Sequence, residues 1–210
     1  MPEDIEADRR KKLSERIIEI FFREGVSSQT MEGVADKAGV SKRTLYKYFP
    51  NKEQLIDSVI MSKLESVETE MLGLMKSDLP FAERILGFFG IVEKYIKPMA
   101  NKLIRDVITN APWIWAKIDK FRHDRLLIHL KTILGEGKEK GLLRADLELE
   151  LVFPMYIAII EQVGRPEFFL QHDVQPSAVI KTLISILLGG ILSDEGRREF
   201  AKAERGGIRA

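Results

Sequence analysis

Residues 30–52 read TMEGVADKAGVSKRTLYKYFPNK, a pattern that predicts two short helices joined by a tight turn. Met31, Val34, Ala35 and Ala38 recur at helical spacing and give the first helix one apolar face. Gly39 breaks that helix, as expected where the backbone takes a positive φ or passes close to another helix. Ser41 is placed to cap the next helix by accepting a backbone N–H. In that helix Leu45 and Phe49 lie four apart and point inward. Lys42, Arg43, Thr44, Tyr46, Lys47 and Tyr48 cover the remaining circumference. Between Ser41 and Lys52 there are four cations (Lys42, Arg43, Lys47, Lys52) and no acid. The pattern is that of a helix-turn-helix whose second helix suits the major groove of double-stranded DNA.

The run from Gly25 to Leu55 also resembles the N-terminal domain of TetR-type (tetracycline-repressor-like) transcriptional regulators. The shared features are Gly25 after the first helix, the Thr30 cap, Val34-Ala35, Ala38-Gly39-Val40-Ser41, Thr44-Leu45-Tyr46, Tyr48-Phe49 and Asn51-Lys52-Glu53. The resemblance covers about a quarter of the 210 residues. The rest of the chain matches the family in length and all-helical texture. The resemblance implies an all-α fold: a three-helix DNA-binding domain, then a larger helical domain for effector binding and dimerisation, about nine helices in all.

Size and composition agree with this. A chain of 210 residues is long enough to bury a substantial core. Hydrophobic residues make up 45% and charged residues 31%, ordinary values for a globular protein. There is no cysteine, which excludes disulfides and thiolate chemistry. The charged start, PEDIEADRRKK, lacks an apolar signal core, and residues 151–160 and 184–192 are too short to span a bilayer. A cytoplasmic location with no membrane partner is therefore expected. The formal net charge is +1, with 11 basic and 10 acidic residues in 1–56 and 22 of each in 57–210. Positive charge is placed locally, which favours a docked, site-specific contact over general polyanion binding.

Periodicity predicts a first helix over residues 7–23, with Leu13, Ile17, Ile20 and Phe21 as its buried stripe. Thr30 caps the second helix, with Gly33 three residues on, so the full capping box is absent. Asn51 caps a fourth helix running to residue 76. The domain boundary is drawn inside it, giving 1–56 for DNA binding and 57–210 for effector binding and dimerisation. Further helices are expected to open at residues 77–80 and end at Pro98, then over 100–109, 112–140, 147–163 and 176–192. Gly135 and Gly137 weaken the second half of the helix over 112–140, and Pro154 is expected to kink the one over 147–163. Residues 164–175 read as an irregular connection, and the charged tail after Asp194 as frayed.

By the resemblance, base readers sit in the first turn and a half of the helix after Gly39: Lys42, Arg43, Thr44 and Tyr46. Arg43 is the choice for a bidentate guanine contact, and Thr44 for a thymine methyl. Many family members carry a small residue where this chain has the Lys42–Arg43 pair, which fits either base reading or phosphate contact. Thr30, Tyr48 and Lys52 look like phosphate anchors, and Lys47 either joins them or is solvated. A basic run, Arg9 to Lys12, precedes the core stripe of the first helix, but Glu3, Asp4, Glu6 and Asp8 neutralise it as a minor-groove arm.

A single helix-turn-helix buries little surface, so such modules act as symmetric dimers on palindromes. Val152, Met155, Tyr156 and Ile159, with Val179, Leu183, Ile186, Leu187 and Gly190, are more apolar than half-exposed helices require. The family pairs the two corresponding helices with their copies, which makes these residues the expected homodimer interface. Gly189-Gly190 either allows close helix approach or marks the helix end. Met71, Phe88, Phe89, Tyr95, Met99, Trp113, Trp115 and Phe121 are large, adaptable side chains in the region where the family encloses an effector. A small hydrophobic or aromatic effector is implied, with ordinary core packing as the alternative for each residue.

No catalytic constellation is visible: there is no G-x-S-x-G elbow, phosphate-cradling glycine loop or dinucleotide fingerprint. His123 and His129 are six apart and so off a common helical face, and His172 stands alone, so neither metal nor cofactor is expected. The leading reading is a dimeric regulator, most often a repressor in this family, released from DNA by a small molecule. The alternative is a protein of the same fold that binds DNA and a protein partner without any effector.

Overall fold

The computed structural model describes residues 2–99 and 101–205. Among these the fold is all-α, and the only β-type pairing is a bridge between Leu143 and Leu192. Packing divides the chain into two compact units. One is Met1–Ser66 with Met99–Asp119, the other Val67–Pro98 with Lys120–Ala210. This differs from the division at residue 56/57 drawn from the sequence, because a later helical segment packs with the N-terminal helices.

The first unit holds α1 (Pro2–Glu24), α2 (Met31–Lys37), α3 (Lys42–Tyr48), the first part of α4 (Lys52–Met75), α6 (Asn101–Asn110) and most of α7 (Trp113–Phe121). Its core is built from the expected stripe of α1 (Leu13, Ile17, Ile20, Phe21) with Val34, Leu45, Phe49, Leu55 and Val59. Leu103, Val107, Ala111 and Ile114 complete it from α6, α7 and the turn between them. Helix α1 starts at Pro2, earlier than the expected residue 7. Lys117 and Asp57 are ion-paired and tie α7 to α4.

The second unit holds the rest of α4, α5 (Phe81–Ile96), a π-helical turn (Arg122–Leu126), α8 (Leu127–Glu139), α9 (Leu149–Val163), α10 (Pro166–His172), α11 (Pro176–Ile191) and α12 (Asp194–Arg205). Its core joins Val67 and Met71 of α4 to Phe81, Ile85 and Phe88 of α5. Leu130, Ile133 and Leu134 of α8 and Leu187, Leu188 and Ile191 of α11 close it. Gly137 sits where a Cβ would come 2.4 Å from the Phe81 ring. The glycine expected to weaken this helix is what lets α8 and α5 approach. Arg84, 8% exposed, is neutralised by a two-pronged contact with Glu136 of α8.

Helices also form within residues 164–175, expected to be irregular, and after residue 193, where a frayed tail is expected. Pro166 occupies the first turn of α10, where its missing N–H costs nothing, and Phe169 buries the turn in the core. In α12 the Glu199 carboxylate accepts the Ala82 N–H at 3.1 Å, an acid set at the N-terminus of α5. Ser193 Oγ caps α12 by accepting the Gly196 N–H at 3.1 Å. Residues 206–210 of the tail lie outside the described residues. Helix α9 runs through Pro154.

Candidate nucleic-acid interface

The turn between α2 and α3 is built from short-range bonds. Thr30 Oγ1 accepts the Gly33 N–H at 3.0 Å and caps α2. At its other end Val40 N donates to Ala35 O at 3.0 Å and Gly39 N to Asp36 O at 3.1 Å. This is a Schellman pair, and it needs a left-handed residue between them, which Gly39 supplies at φ +66°. Ser41 Oγ then accepts the Thr44 N–H at 3.1 Å and starts α3. The closing carbonyls of α2 and the third N–H of α3 are thereby bonded by residues within ten positions of one another.

Burial then sorts the faces of α3. Leu45 and Phe49 are wholly buried, while Lys42, Arg43, Tyr46 and Lys47 are exposed. Tyr46 keeps 42% of its surface in solvent, a large aromatic ring with no core to enter. Arg43 has no ion pair or hydrogen bond among the described residues. The other cations are engaged. Lys42 lies 3.7 Å from Glu32 of α2, Lys47 is 2.5 Å from Glu6 of α1, and Lys52 Nζ donates to Ser27 O at 3.0 Å. The Lys47 hydrogen bond holds the Glu6 carboxyl below its usual range and raises the Lys47 ammonium in turn. Thr44 shares its hydroxyl with Ser41 Oγ at 2.8 Å. Tyr48 is half-buried, its ring tilted against Phe49 and overlain by Lys47 Nζ at 5.4 Å. Within the basic run of α1, Arg10 packs over the Phe49 ring at 5.5 Å and donates to Ser58 Oγ at 2.8 Å.

The sequence reading missed Asp106. This α6 carboxylate accepts the backbone N–H groups of Val26 and Ser27, the latter at 3.0 Å, and the Asn110 side chain at 2.9 Å. Burial pushes its carboxyl up, but the hydrogen bonds from Ser27, Val26 and Asn110 prevail and hold it below the usual value. Gly25 makes the approach possible, since a Cβ there would lie 2.6 Å from Asp106 Oδ2. The loop leading into α2 is thus clamped from a helix 80 residues away.

The residues expected around an effector do not form one group. Met71 and Phe88 are buried in the core of the second unit, with Phe89, Tyr95 and Phe121 packed against it. Trp113 and Trp115 pack on the core of the first unit, to which Met99 also belongs. A cavity of about 40 Å³ in the first unit is lined by Met99 and Trp115 together with Phe21, Ile60, Val107 and Ile118, among other apolar residues. The residues expected at a dimer interface also divide. Met155, Ile159 and Ile186 are exposed, with Leu151 beside them on α9. Val152, Tyr156, Val179 and Leu183 are half-buried, and the Tyr156 hydroxyl donates to Leu183 O at 2.7 Å. Burial raises that hydroxyl to about 12. Gly190 is open to solvent. Leu187 departs from the expectation: it is 2% exposed and belongs to the core of the single chain.

Residues 15–59 match the family model of bacterial regulatory proteins of the tetR family. The HTH-type transcriptional regulator YvaF of Bacillus subtilis is 27% identical over 171 residues, 80% of this chain and 88% of its own length. The HTH-type transcriptional repressor KstR2 of Mycobacterium tuberculosis is 24% identical over 191 residues, 89% of this chain and 94% of its own. Among solved structures, FadR from Bacillus subtilis in complex with stearoyl-CoA shares the fold, with a TM-score of 0.58 at 20% identity. The match covers 85% of this chain and 97% of that one. Among the described residues no single helix is long and apolar enough to cross a membrane.

Proposed function

Since this chain is a TetR-type transcriptional regulator, we propose that it works as a homodimeric repressor, released from a palindromic operator by a small hydrophobic effector. The observation that carries the reading is the division of α3. Leu45 and Phe49 anchor it from behind, leaving Lys42, Arg43 and Tyr46 facing outward with Thr44 beside them. Arg43, with no partner to give up, reads a guanine edge. Lys42, Thr44 and Tyr46 complete the base-reading face, while Thr30, Lys47, Tyr48 and Lys52 grip the flanking phosphates.

Dimerisation is supported by the exposed stripe Leu151, Met155 and Ile159 along α9, joined by Ile186 of α11. Large apolar side chains at four-residue spacing in solvent are what a helix-on-helix contact covers. The hydrophobic effector is supported by the apolar cores on both sides of residue 66 and by the stearoyl-CoA held in the FadR structure. Residues 57–210 supply the effector and dimer functions in this reading, and residues 1–56 the DNA contact.

The test is selection of binding sites from random duplex DNA by the full-length protein, followed by titration of the selected site over a range of salt. A palindrome bound by two copies of the chain is expected. Arg43→Ala should flatten preference between the selected and a scrambled duplex, about 1–3 kcal/mol of discrimination. Lys52→Ala should weaken both and lower the salt slope by roughly one unit. Equal losses on both duplexes for Arg43→Ala would remove its base-reading role.

A further inference from the structure

Among the described residues of the second unit, Arg84 Nε, Glu68 Oε2 and His129 Nε2 are buried without a hydrogen-bond partner, and the last two face each other's side chains. Glu68 lies on α4 and His129 on α8, their side chains 18% and 15% exposed. Glu68 Oε1 and His129 Nε2 stand 3.5 Å apart, a distance without an aligned hydrogen bond. Glu68 Oε2 and His129 Nε2 have no hydrogen-bond partner among the described residues. A pair kept only to hold α4 to α8 would be expected to satisfy both groups, because an unpaired buried polar atom costs stability.

The surroundings are apolar. Val67 and Met71 flank Glu68, Leu130 and Ile133 flank His129, and all four belong to one buried apolar cluster. Arg125, 61% exposed, reaches to 3.9 Å from Glu68 Oε1, so the pair lies where that cluster meets solvent. Arg125 is part of the π-helical turn Arg122–Leu126. Such turns disturb the regular ladder and concentrate at functional sites.

We propose that Glu68 and His129 are the polar anchor of the effector site and select an uncharged hydrophobic molecule carrying a hydroxyl group. This rests on reading the chain as a ligand-responsive regulator. A hydroxyl donates its proton to Glu68 Oε2 and accepts from the His129 Nε2–H, so one small group satisfies both atoms. A carboxylate of the same length has only acceptors to set against Glu68 and is repelled by its charge. An alkane leaves both atoms unpaired. The apolar body of the ligand enters the cluster, where the wholly buried Met71 is an adaptable side chain able to move aside.

Calorimetric titration of the full-length protein with 1-decanol and with decanoate separates these cases. The wild type should bind decanol at least roughly tenfold more tightly than decanoate, the scale of one hydrogen bond to a charged group. Glu68→Gln removes the repulsion and should narrow or reverse that preference. Replacing both residues by leucine (Glu68→Leu with His129→Leu) should raise the melting temperature, since unpaired polar atoms leave the core, while weakening decanol binding about tenfold or more. The proposal is overturned if the wild type fails to bind decanol or binds both probes equally. It is overturned equally if Glu68→Gln leaves the preference unchanged, or if the double leucine variant binds decanol like the wild type. A parallel titration of the wild type with its selected duplex keeps the two readings apart. Absence of DNA binding refutes the regulator reading, whereas retained DNA binding with any of the overturning results refutes the anchor alone.

Discussion

Replacing Asp106 by alanine should loosen the first unit at a point remote from α3. The carboxylate accepts two backbone N–H groups and one side-chain amide. Hydrogen bonds to a charged group contribute about 1.5–3 kcal/mol each when buried, and less for a half-buried group such as this one. Val26 is only 2% exposed, so its N–H would lose its partner without gaining water freely. A net loss of about 2 kcal/mol follows, lowering the melting temperature by roughly 4–8 °C for a chain of this size. Locally, amide hydrogen exchange at Val26 and Ser27 should accelerate about 30-fold, the same free energy read at the clamp.

The pH dependence has a definite sign. The folded-state carboxyl is held below its usual value, so its contribution is complete above the unfolded pKa of about 3.9 and fades as pH falls through the folded value. Wild type and Asp106→Ala should therefore converge in stability below about pH 4. Thermal melts at several pH values and exchange measured by mass spectrometry or NMR supply the data. Unchanged exchange at Val26 and Ser27 in Asp106→Ala would refute the clamp. A stability gap persisting undiminished at low pH would refute the charge-based part of the reasoning.

Glu6→Gln frees Lys47 from its ion pair on the face of α3 and should raise affinity for the selected duplex roughly two- to fivefold at low salt; a loss of affinity would mean that Glu6 orients Lys47 for its phosphate. Met155→Asp places a charge in the exposed stripe of α9 and should cost the dimer about 2 kcal/mol or more. Sedimentation should then show single chains at concentrations where the wild type is paired, and an unchanged profile would rule out this face. Val107→Ile projects one added methylene into the 40 Å³ cavity and should raise the melting temperature by roughly 2–3 °C, whereas a fall would show that the space cannot accept the group.

The helix-turn-helix was legible because its determinants are local. The Gly39 turn, the Thr30 and Ser41 caps and the Leu45–Phe49 stripe all act over a few positions, and each residue type carries its own backbone preference or period. The same locality explains the errors. Residues 166–172 lack a long apolar period and read as irregular, although Pro166 is a first-turn signal. The tail after Asp194 looks frayed by composition, yet residues 194–205 form a helix whose Glu199 reaches Ala82, 117 residues away. The large side chains from Met71 to Phe121 form one group by composition, yet Trp113 and Trp115 pack on one core and Phe88 and Phe121 belong to the other. Leu187 shares a helix with Ile186, and a difference of about 100° around the axis separates core from solvent.

Hydrophobic periodicity and backbone chemistry were enough to specify most of the helices, the turn between α2 and α3, and which side of α3 is buried. Those properties are set by φ preferences and by contacts within about a turn of helix. Which helices share a core, how Asp106 reaches the loop before α2, and that Glu68 faces His129 were decided by tertiary packing alone. These contacts join residues 60 to 80 positions apart, where no local preference registers the partner and only the shared exclusion of water from a common core brings them together.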